Sequence, residues 1–325
     1  MNTSQLVLQY LLQKKEQYTS GQEIANYLEL SRNAIWKAIN KLQENGYTIE
    51  SKANKGYKII VNNDILSASG IQGYLQVQDF YKIQYFDEVT STNTLIKNET
   101  EAGTVIVAAS QSAGRGRFNR SFYSPKDSGV YFSVLLKPDQ SHDISFYTAL
   151  SAIAVCRSIQ QLTNKKPQIK WVNDIFLDDK KICGILTEAS YNVENGQLEA
   201  LIIGIGLNIY EPIHHFPNEL KDIAGSLLDK TLVDSRNQFV ASILNQIYLQ
   251  INNFDVTKIH QEYKALSCVL NKEITYLDQN QQIHARVIDI NEFNELVVKK
   301  EDGTIENLRF GEISIKLGEK NEFKN

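Results

Sequence analysis

The sequence predicts a multidomain α+β protein with an N-terminal winged helix-turn-helix, a central mixed α/β core and a small C-terminal β-barrel. Three observations support this prediction. The chain has 325 residues, which is more than one hydrophobic core normally organises. The spacing of apolar residues changes along the chain, from helical, to mixed, to short strands. An excess of basic residues is found only at the N-terminal end.

The N-terminal segment has the pattern of three helices followed by a two-stranded ribbon. Ser31 is a suitable N-cap for the third helix, and Asn45-Gly46 supplies a left-handed stop after it. In a winged helix-turn-helix the third helix enters the major groove and the ribbon contacts the DNA backbone. The predicted segments are residues 4–13, 20–28, 31–46, 47–51 and 56–61.

The polar face of the third helix and the tip of the ribbon are both basic. Residues 1–61 contain eight Lys or Arg and five Asp or Glu, a net charge of +3, whereas the whole chain has a net charge of -4. A three-helix protein-interaction module is the alternative, but this asymmetry favours a polyanionic partner. The predicted DNA-binding residues are Arg32, Asn33, Lys37, Asn40, Lys41 and Lys55.

The domain boundaries follow from changes in pattern. A polar break at Asn62-Asn63-Asp64 ends the DNA-binding domain, which is assigned to residues 1–63. Strand-like and helix-like segments alternate over residues 64–270, which predicts the central core. Short alternating strands separated by turn residues then predict a small β-barrel domain over residues 271–325.

Several classes of protein are disfavoured by composition. No apolar run approaches the roughly 20 residues that cross a bilayer, and the first residues lack the charged segment of a secretory signal. A cytoplasmic protein with no membrane association is therefore expected. The three cysteines and five histidines show no metal-ligand spacing, so no structural metal is predicted.

A basic loop, GRGRFNR at residues 114–120, lies between two predicted buried strands at 104–109 and 129–136. Glycine leaves backbone free for close approach, and arginine guanidinium groups match phosphate or carboxylate oxygens. Alone, such a segment is also typical of a solvated turn or of an RNA-binding fragment. The flanking strands favour a ligand-binding loop held by a rigid scaffold.

A second cationic segment strengthens the prediction of an anionic ligand. Lys170-Trp171-Val172-Asn173-Asp174 is followed shortly by Lys180-Lys181-Ile182-Cys183-Gly184. Neither common nucleotide fingerprint is present, because no GxxxxGK[ST] occurs and Gly204-Ile205-Gly206 lacks a third glycine. The sequence therefore predicts that phosphate is bound by cations and bare backbone in another arrangement.

Taken in order, these segments closely resemble the biotin protein ligases. A winged helix before the core and Gly311-Glu312-Ile313-Ser314 after it resemble the bifunctional kind that is also the biotin operon repressor. The resemblance covers nearly the whole chain and implies a class II synthetase-like core with an SH3-like C-terminal barrel. The segments that match are Ser91-Thr92-Asn93, Gln111 with the basic loop, residues 170–174, residues 181–186 and residues 204–208.

The resemblance implies the two-step reaction of a biotin-[acetyl-CoA-carboxylase] ligase. Biotin and Mg-ATP give biotinyl-5'-adenylate and pyrophosphate, and a lysine of a biotin carboxyl carrier domain, from acetyl-CoA or pyruvate carboxylase, then attacks the adenylate. A carboxylate that attacks the α-phosphate brings two anions together, so cations must stabilise the charge. The resemblance also implies operator DNA as a partner and a homodimer in the adenylate-bound state.

The resemblance also implies roles for individual residues. Lys181 would bridge the biotin carboxylate and the α-phosphate, and Asp174 would bind Mg²⁺ or orient Lys181. The implied catalytic residues are Lys181, Arg117, Arg115 and Asp174. The implied biotin-binding residues are Ser91, Thr92, Asn93, Gln111, Gly114, Arg115, Lys181, Gly184, Gly204 and Gly206. The implied ATP-binding residues are Arg117, Arg120, Phe122, Lys170, Asn173 and Asn208.

Two positions depart from the family pattern, and two rival functions remain open. Val172 replaces a proline that would fix the loop backbone, and Phe122 replaces a tryptophan but can still stack on adenine.

A non-catalytic, metabolite-sensing winged-helix repressor would not need a cation cluster at a phosphate. A lipoate protein ligase would share the core fold, but Gln111 and the basic loop fit biotin better.

Overall fold

The protein is described by a computed structural model over residues 3–14, 17–44, 46–60, 64–77, 79–137, 143–191, 198–278, 281–309 and 311–315. Within these ranges the chain forms three β-sheets, of two, seven and five strands. The sheets follow one another along the sequence, the seven-stranded one lying between the other two. This order agrees with the predicted sequence of segments.

The N-terminal segment has the predicted order of three helices and a ribbon. The elements are α1 (Thr3–Gln13), α2 (Gly21–Leu28), α3 (Arg32–Glu44), β1 (Ile49–Lys52) and β2 (Gly56–Ile59). The Ser31 hydroxyl accepts a hydrogen bond from the Ala34 N–H at 3.2 Å, so the predicted N-cap is confirmed. Gly46 has φ +93°, as a left-handed stop requires, while Asn45 lies outside the described ranges.

The ribbon is anchored close to its tip to the loop between α1 and α2. Thr19 and Tyr57 exchange two backbone N–H···O hydrogen bonds, each of 2.8 Å. Gly56 has φ +97°, and a Cβ there would lie 2.1 Å from the Thr19 carbonyl oxygen. Only glycine therefore permits this close approach, which fixes the basic tip at Lys55 relative to the loop between α1 and α2.

The central sheet is mixed and has the strand order β3-β4-β5-β9-β8-β7-β6. Its first pair, β3 with β4, is parallel, and every other neighbouring pair is antiparallel. The elements are α4 (Ala68–Tyr74), β3 (Lys82–Val89), α5 (Thr92–Leu95), β4 (Thr104–Gln111), β5 (Gly129–Leu136), α6 (Ile144–Thr163), β6 (Gln168–Lys170), β7 (Asp174–Leu177), β8 (Lys180–Tyr191), β9 (Leu198–Asn208), α7 (Ser235–Asn252) and α8 (Val256–Leu266).

The two faces of this sheet are covered differently. Alternate residues of β9, such as Ile203 and Ile205, join the large core formed with α6 and α7, whereas Ile202 joins a small cluster beside α5. Gly204 and Gly206 therefore lie on the thinly covered α5 face. No helix of the described residues is long and apolar enough to cross a membrane.

The C-terminal segment is an antiparallel sheet that packs on the central core. Its strands are β10 (Glu273–Asp278), β11 (Gln281–Ile290), β12 (Leu296–Lys300), β13 (Ile305–Leu308) and β14 (Ile313–Ile315), in the order β13-β12-β11-β10-β14. Ile274 and Val287 belong to the same buried cluster as the central sheet, and the Trp171 indole N–H donates to the Asn294 carbonyl at 2.9 Å. Over residues 273–278, 281–309 and 311–315 no pairing of β13 with β14 closes the predicted barrel.

The winged helix packs on the central core through polar contacts. The Gln5 amide donates to the Ser69 and Gly70 carbonyls at 3.0 and 3.2 Å, and the Tyr47 hydroxyl donates to the Asp234 carboxylate. Tyr47 is 3% exposed and Asp234 is completely buried. Helix α1 is therefore in direct contact with α4, and the segment after α3 is in contact with the residue that precedes α7.

The predicted boundary lies partly outside the described ranges, because Asn62 and Asn63 are not described. Asp64, the last residue of the predicted polar break, is buried rather than solvated. Its carboxylate accepts from the Arg236 backbone N–H at 3.0 Å and from the Arg236 side chain at 3.1 Å. Asp64 therefore belongs structurally to the start of α7.

Candidate active site

A cavity of about 880 Å³ opens on the α5 face of the central sheet. Part of its floor is bare backbone of β8 and β9, where Gly184 pairs with Gly206 and Leu186 pairs with Gly204. The predicted ligand-binding residues that line the cavity are Ser91, Thr92, Asn93, Gln111, Arg115, Arg117, Arg120, Phe122, Lys170, Asn173, Asp174, Lys181, Gly184, Gly204 and Gly206. Residues from five separate sequence segments are thus brought together.

Two predicted ligand-binding residues do not line this cavity. The Gly114 carbonyl accepts from the Phe122 N–H at 2.9 Å, which closes the basic loop. The Asn208 amide donates to the Gly225 carbonyl at 3.1 Å, and Asn208 is 8% exposed. Both residues hold neighbouring backbone in place, and their contacts to a ligand stay predictions.

Lys181 and Asp174 form an ion pair at the cavity wall, with 2.7 Å between Lys181 Nζ and Asp174 Oδ1. Lys181 lies within β8, and its backbone exchanges hydrogen bonds with Ile223 and Gly225. Its side chain is 29% exposed, so Lys181 is held at the wall and is not a freely solvated lysine. The Asp174 carboxylate orients the Lys181 ammonium group, and Lys181 still lines the cavity.

Two further cations are partly withdrawn from water. Burial lowers the pKa of Arg117, although Asp174 and Glu312 oppose that effect. Burial likewise lowers the pKa of Lys170, against the favourable field of Asp174. Desolvation thus disfavours both charges in the free protein, and a bound anion would offset that cost.

Hydrogen bonds hold the Trp171–Asp174 segment, in which Val172 stands where the family pattern has a proline. The Tyr263 hydroxyl donates to the Val172 carbonyl at 2.8 Å, and Asn173 exchanges hydrogen bonds with the backbone of Ile185. The Asn173 side-chain oxygen also accepts from Arg117 at 3.3 Å. These contacts fix the loop without the restricted φ of proline.

The C-terminal sheet contributes to the cavity through the residue before β14. Glu312 forms an ion pair with Arg120 of the basic loop and also lines the cavity. The sequence analysis used Glu312 only as part of a family motif and gave it no role. Since Arg120 and Glu312 lie far apart in sequence, no local pattern indicates their contact.

The glycines of the floor make room for side chains of the protein itself. A Cβ at Gly206 would lie 2.4 Å from the Phe122 ring, and one at Gly204 would lie 2.0 Å from the Asn93 side-chain oxygen. The resemblance to biotin protein ligases implied only a biotin-binding role for Gly204 and Gly206. The structure adds a second reason for glycine, because Phe122 and Asn93 pack directly on the strand backbone.

The opposite end of the cavity is polar and uncharged. The Gln111 side-chain oxygen accepts from the Thr92 N–H at 2.9 Å, and its amide donates to the Ser124 hydroxyl at 2.8 Å. The Asn93 side-chain oxygen accepts from the Ser133 hydroxyl at 2.6 Å. Ser133, which the sequence analysis did not single out, thereby fixes one of the predicted ligand-binding residues.

The predicted DNA-binding residues lie on the solvent side of the winged helix. Asn40 is half-buried, and the rest are exposed and form no ion pair within the described ranges; these are Arg32, Asn33, Lys37, Lys41 and Lys55. Trp36, on the same helix, is 54% exposed, although its size would favour burial. It was missed because the sequence analysis considered only polar residues on this face.

Two family models match the chain. The model described as "Biotin/lipoate A/B protein ligase family" matches residues 85–208, and the model described as "HTH domain" matches residues 3–58. The first region contains most of the cavity wall, and the second contains the three N-terminal helices and the ribbon. The two matches therefore coincide with the two functional surfaces described above.

Similar proteins extend these matches over the whole chain. The chain is 37% identical over 227 residues to the bifunctional ligase/repressor BirA of Bacillus subtilis (strain 168), covering 68% of this chain and 69% of that protein. It is 26% identical over 327 residues to the bifunctional ligase/repressor BirA of Escherichia coli (strain K12), covering 98% and 99%. The structure of the Aquifex aeolicus biotin protein ligase, in complex with biotin and ATP, is similar with a TM-score of 0.62 and 26% identity, covering 73% of this chain and 99% of that chain.

Proposed function

This chain belongs to the biotin/lipoate A/B protein ligase family, and from that premise we propose that it is an ATP-dependent biotin protein ligase and also a transcriptional repressor of biotin genes. The reaction forms biotinyl-5'-AMP and transfers biotin to a lysine of a carrier domain. The observation that best supports this function is one cavity with a cation cluster at one end and a polar, uncharged end at the other.

In the first step a biotin carboxylate oxygen attacks the α-phosphorus of ATP, and pyrophosphate leaves. Lys181, held by Asp174, is placed to reduce the repulsion between the two anions and to stabilise charge on the transferring phosphoryl group. When phosphate oxygens approach Arg117 and Lys170, they stabilise the charged forms of these side chains, which burial disfavours. Because the ion pair exists before the substrate binds, little reorganisation is needed in the reaction.

Magnesium enters this proposal together with ATP. Within the described residues no group of three or more His, Cys, Asp or Glu could hold a metal ion, and Asp174 and Glu312 are each paired with a cation. Mg²⁺ commonly binds through one or two carboxylates plus substrate phosphates. Asp174 fits the role of orienting Lys181 better than that of a magnesium ligand.

In the second step a lysine amine of the carrier domain attacks the acyl carbon of the adenylate, and AMP leaves. The same cations stabilise the phosphate charge that returns to the departing AMP. We infer that the carrier domain belongs to acetyl-CoA or pyruvate carboxylase and approaches from the open side of the cavity. The basic loop and Glu312 both line the cavity.

Biotin is favoured over lipoate by the polar end of the cavity. A cyclic urea has both N–H donors and a carbonyl acceptor, and hydroxyl and amide groups can satisfy both. Ser91, Thr92 and Gln111 present such groups at the cavity surface. The dithiolane ring of lipoate has neither an N–H donor nor a carbonyl acceptor, so it could not use the hydrogen-bonding capacity that these groups keep beside their contacts within the protein.

The repressor activity depends on the N-terminal domain. We propose that residues 1–63 bind operator DNA, that residues 64–270 form the catalytic domain and that residues 271–325 form an SH3-like C-terminal domain. An adenylate-bound homodimer, with the segments 112–124 and 209–225 ordered at its interface, would match an operator with two half-sites. Such an operator-binding protein would act in the cytoplasm.

The decisive experiment is ATP–pyrophosphate exchange with the full-length protein. We expect exchange that depends on biotin and is not supported by lipoate, followed by transfer of biotin to a purified carrier domain. Biotin binding without exchange would instead support the rival, a repressor that only senses a metabolite. Exchange supported by lipoate in preference to biotin would support the lipoate ligase.

A further inference from the structure

Glu188 lies just beyond the polar end of the cavity. It follows Gly184 and Leu186 at two-residue intervals along β8, so its side chain projects from the same face of the sheet. The backbone of Glu188 pairs with Ile202 of β9. Its side chain is 23% exposed, and Glu188 does not line the cavity. Neither the predicted biotin-binding set nor the predicted catalytic set includes it.

Three side chains converge on this carboxylate. The Asn93 amide donates to Glu188 Oε2 at 2.8 Å, and the Lys97 ammonium donates to Oε1 at 2.9 Å. Arg115 Nη1 of the basic loop lies 3.9 Å from the same Oε1. Glu188 thus connects the helix that begins at Thr92 with the loop that carries the arginines.

Glu188 is ionised at neutral pH and can only accept hydrogen bonds. Burial opposes its charge, but hydrogen bonds from Lys97 and Asn93 outweigh burial and lower its pKa. An acceptor-only group at 2.8 Å requires the NH₂ of Asn93, and not its oxygen, to face Glu188. The Asn93 oxygen must then face the Ser133 hydroxyl, which donates to it at 2.6 Å.

The orientation of Asn93 is passed on to the residues at the cavity surface. Ser133 Oγ lies 2.7 Å from the Thr92 hydroxyl, and the Thr92 N–H donates to the Gln111 side-chain oxygen. With Gln111 Oε1 accepting, the Gln111 amide donates to Ser124 at 2.8 Å. Because the Ser133 hydroxyl has one hydrogen and donates it to Asn93, the Thr92 hydroxyl is the donor to Ser133. The carboxylate therefore sets the donor and acceptor roles of Asn93, Ser133 and the Thr92 hydroxyl, whereas the Thr92 backbone N–H orients Gln111 independently.

We propose that Glu188 is a positioning residue for recognition of the cyclic urea. It fixes the amide orientation of Asn93 and draws Arg115 toward the polar end, and it does not contact the substrate itself. This proposal rests on the biotin ligase function proposed above. An amide at position 188 could donate to the Asn93 oxygen, so the Asn93 amide could turn over and reverse the pattern passed to Ser133 and the Thr92 hydroxyl.

The test is Glu188→Gln in the full-length protein, which keeps the size of the side chain and removes the charge. In biotin-dependent ATP–pyrophosphate exchange we expect KM for biotin to rise about tenfold, with kcat and KM for ATP within about twofold of wild type. Lys97→Met is the matched control, because it removes the other main partner of Glu188 but leaves the Asn93 contact. It should leave KM for biotin within about twofold.

A second readout separates positioning from mere support of the fold. In 2-iminobiotin a cyclic guanidinium replaces the urea, so the carbonyl acceptor is lost and only donors remain. In calorimetry the wild type should bind biotin far more tightly than 2-iminobiotin. Glu188→Gln should reduce the ratio of these two affinities several-fold, because a well-oriented hydrogen bond is lost. A structural defect alone would weaken both ligands alike and leave the ratio unchanged.

The outcomes are distinct. An unchanged KM for biotin in Glu188→Gln, or an unchanged binding ratio, would overturn the proposal even if the melting temperature falls. If wild type itself shows no exchange, the proposed function is wrong, and the calorimetric ratio still tests the role of Glu188. If Glu188→Gln fails to fold, Ser133→Ala is the substitute, because it interrupts the same series of hydrogen bonds beyond Asn93. Ser133→Ala should raise KM for biotin, and an unchanged KM would overturn the proposal.

Discussion

The ion pair between Lys181 and Asp174 places a cation at the cavity wall before any substrate binds. The pair is only partly exposed, with side-chain exposures of 29% and 24%, so solvent screens it less than a surface pair. Successive side chains on a strand alternate in direction, and Lys180 accordingly donates to the Lys221 carbonyl rather than joining this pair. Of these two neighbouring lysines, Lys181 therefore lines the cavity and Lys180 does not.

Lys181→Ala should lower the rate of biotin-dependent ATP–pyrophosphate exchange by about 10²–10³-fold, because it removes a pre-oriented cation from the transferring phosphoryl group. The melting temperature should change little, because a partly exposed ion pair contributes only modestly to stability. Lys180→Ala is the control and should keep near-wild-type exchange. Exchange at the wild-type rate in Lys181→Ala would contradict the assigned role.

At the scale of elements, α3 combines a buried stripe with an exposed polar face. Ile35, Ile39 and Leu42 are at most 2% exposed, whereas Lys37 and Lys41 are exposed to solvent. Trp36 stands at the margin of the polar face, where a large apolar group could contact a thymine methyl. The helix therefore offers both charge and an apolar surface to the major groove.

Lys37→Ala should weaken binding to operator DNA and reduce the slope of log K against log salt concentration by about 1, as expected for the loss of one phosphate contact. Lys166→Ala, on the central domain, is the control of equal charge change and should leave the slope unaltered. The measurement is a titration of labelled operator DNA over a range of potassium chloride concentrations. An unchanged slope in Lys37→Ala would remove this lysine from the interface.

The elements that the sequence predicts well are those with local signals. The helices of the winged domain follow from an apolar stripe and from caps such as Ser31, whose hydrogen bond forms as expected. The pairing of strands has no such signal, so closure of the C-terminal sheet could not be judged from strand patterns alone. Glu188 was missed for the same reason, because its partner Asn93 is 95 residues away in sequence.

At the scale of the whole molecule, the contact between the winged helix and the core includes a buried carboxylate. Burial raises the pKa of Asp234 above its usual 3.8, although hydrogen bonds from Tyr47 and Asn237 partly oppose the shift. A raised pKa means that the folded state keeps a proton that the unfolded state has lost. Stability from this group is therefore complete below pH 3.8 and declines as pH rises through the folded-state pKa.

Asp234→Asn should abolish this pH dependence, because an amide does not titrate. The free energy of unfolding of wild type minus that of the variant should fall as pH is raised from about 3.5 toward neutrality, since only wild type must ionise a buried group. Urea denaturation at a series of pH values measures this difference. Asp229→Asn, which removes a carboxylate from an exposed position, is the control of equal charge change.

Deletion of residues 1–63 should abolish operator binding and preserve biotin transfer to a carrier domain, because every described residue of the cavity lies after that segment. The cut keeps Asp64 and its hydrogen bonds to Arg236, but it exposes the surface that Gln5 and Tyr47 cover. We therefore expect a lower melting temperature and a higher KM for biotin. Gel-shift and biotinylation assays on the truncated chain test both parts, and retained operator binding would refute the domain assignment.

The contacts of Gln5 and Tyr47 with the core have a consequence for helical phasing on DNA. A recognition helix joined to its core by a flexible linker can reach half-sites at many separations. A recognition helix whose domain is packed against the core has a single orientation relative to that core. The B-DNA groove returns to the same side of the duplex about every 10 base pairs. For two copies related by a two-fold axis, the permitted distance between half-sites is then set by the geometry of the joined cores.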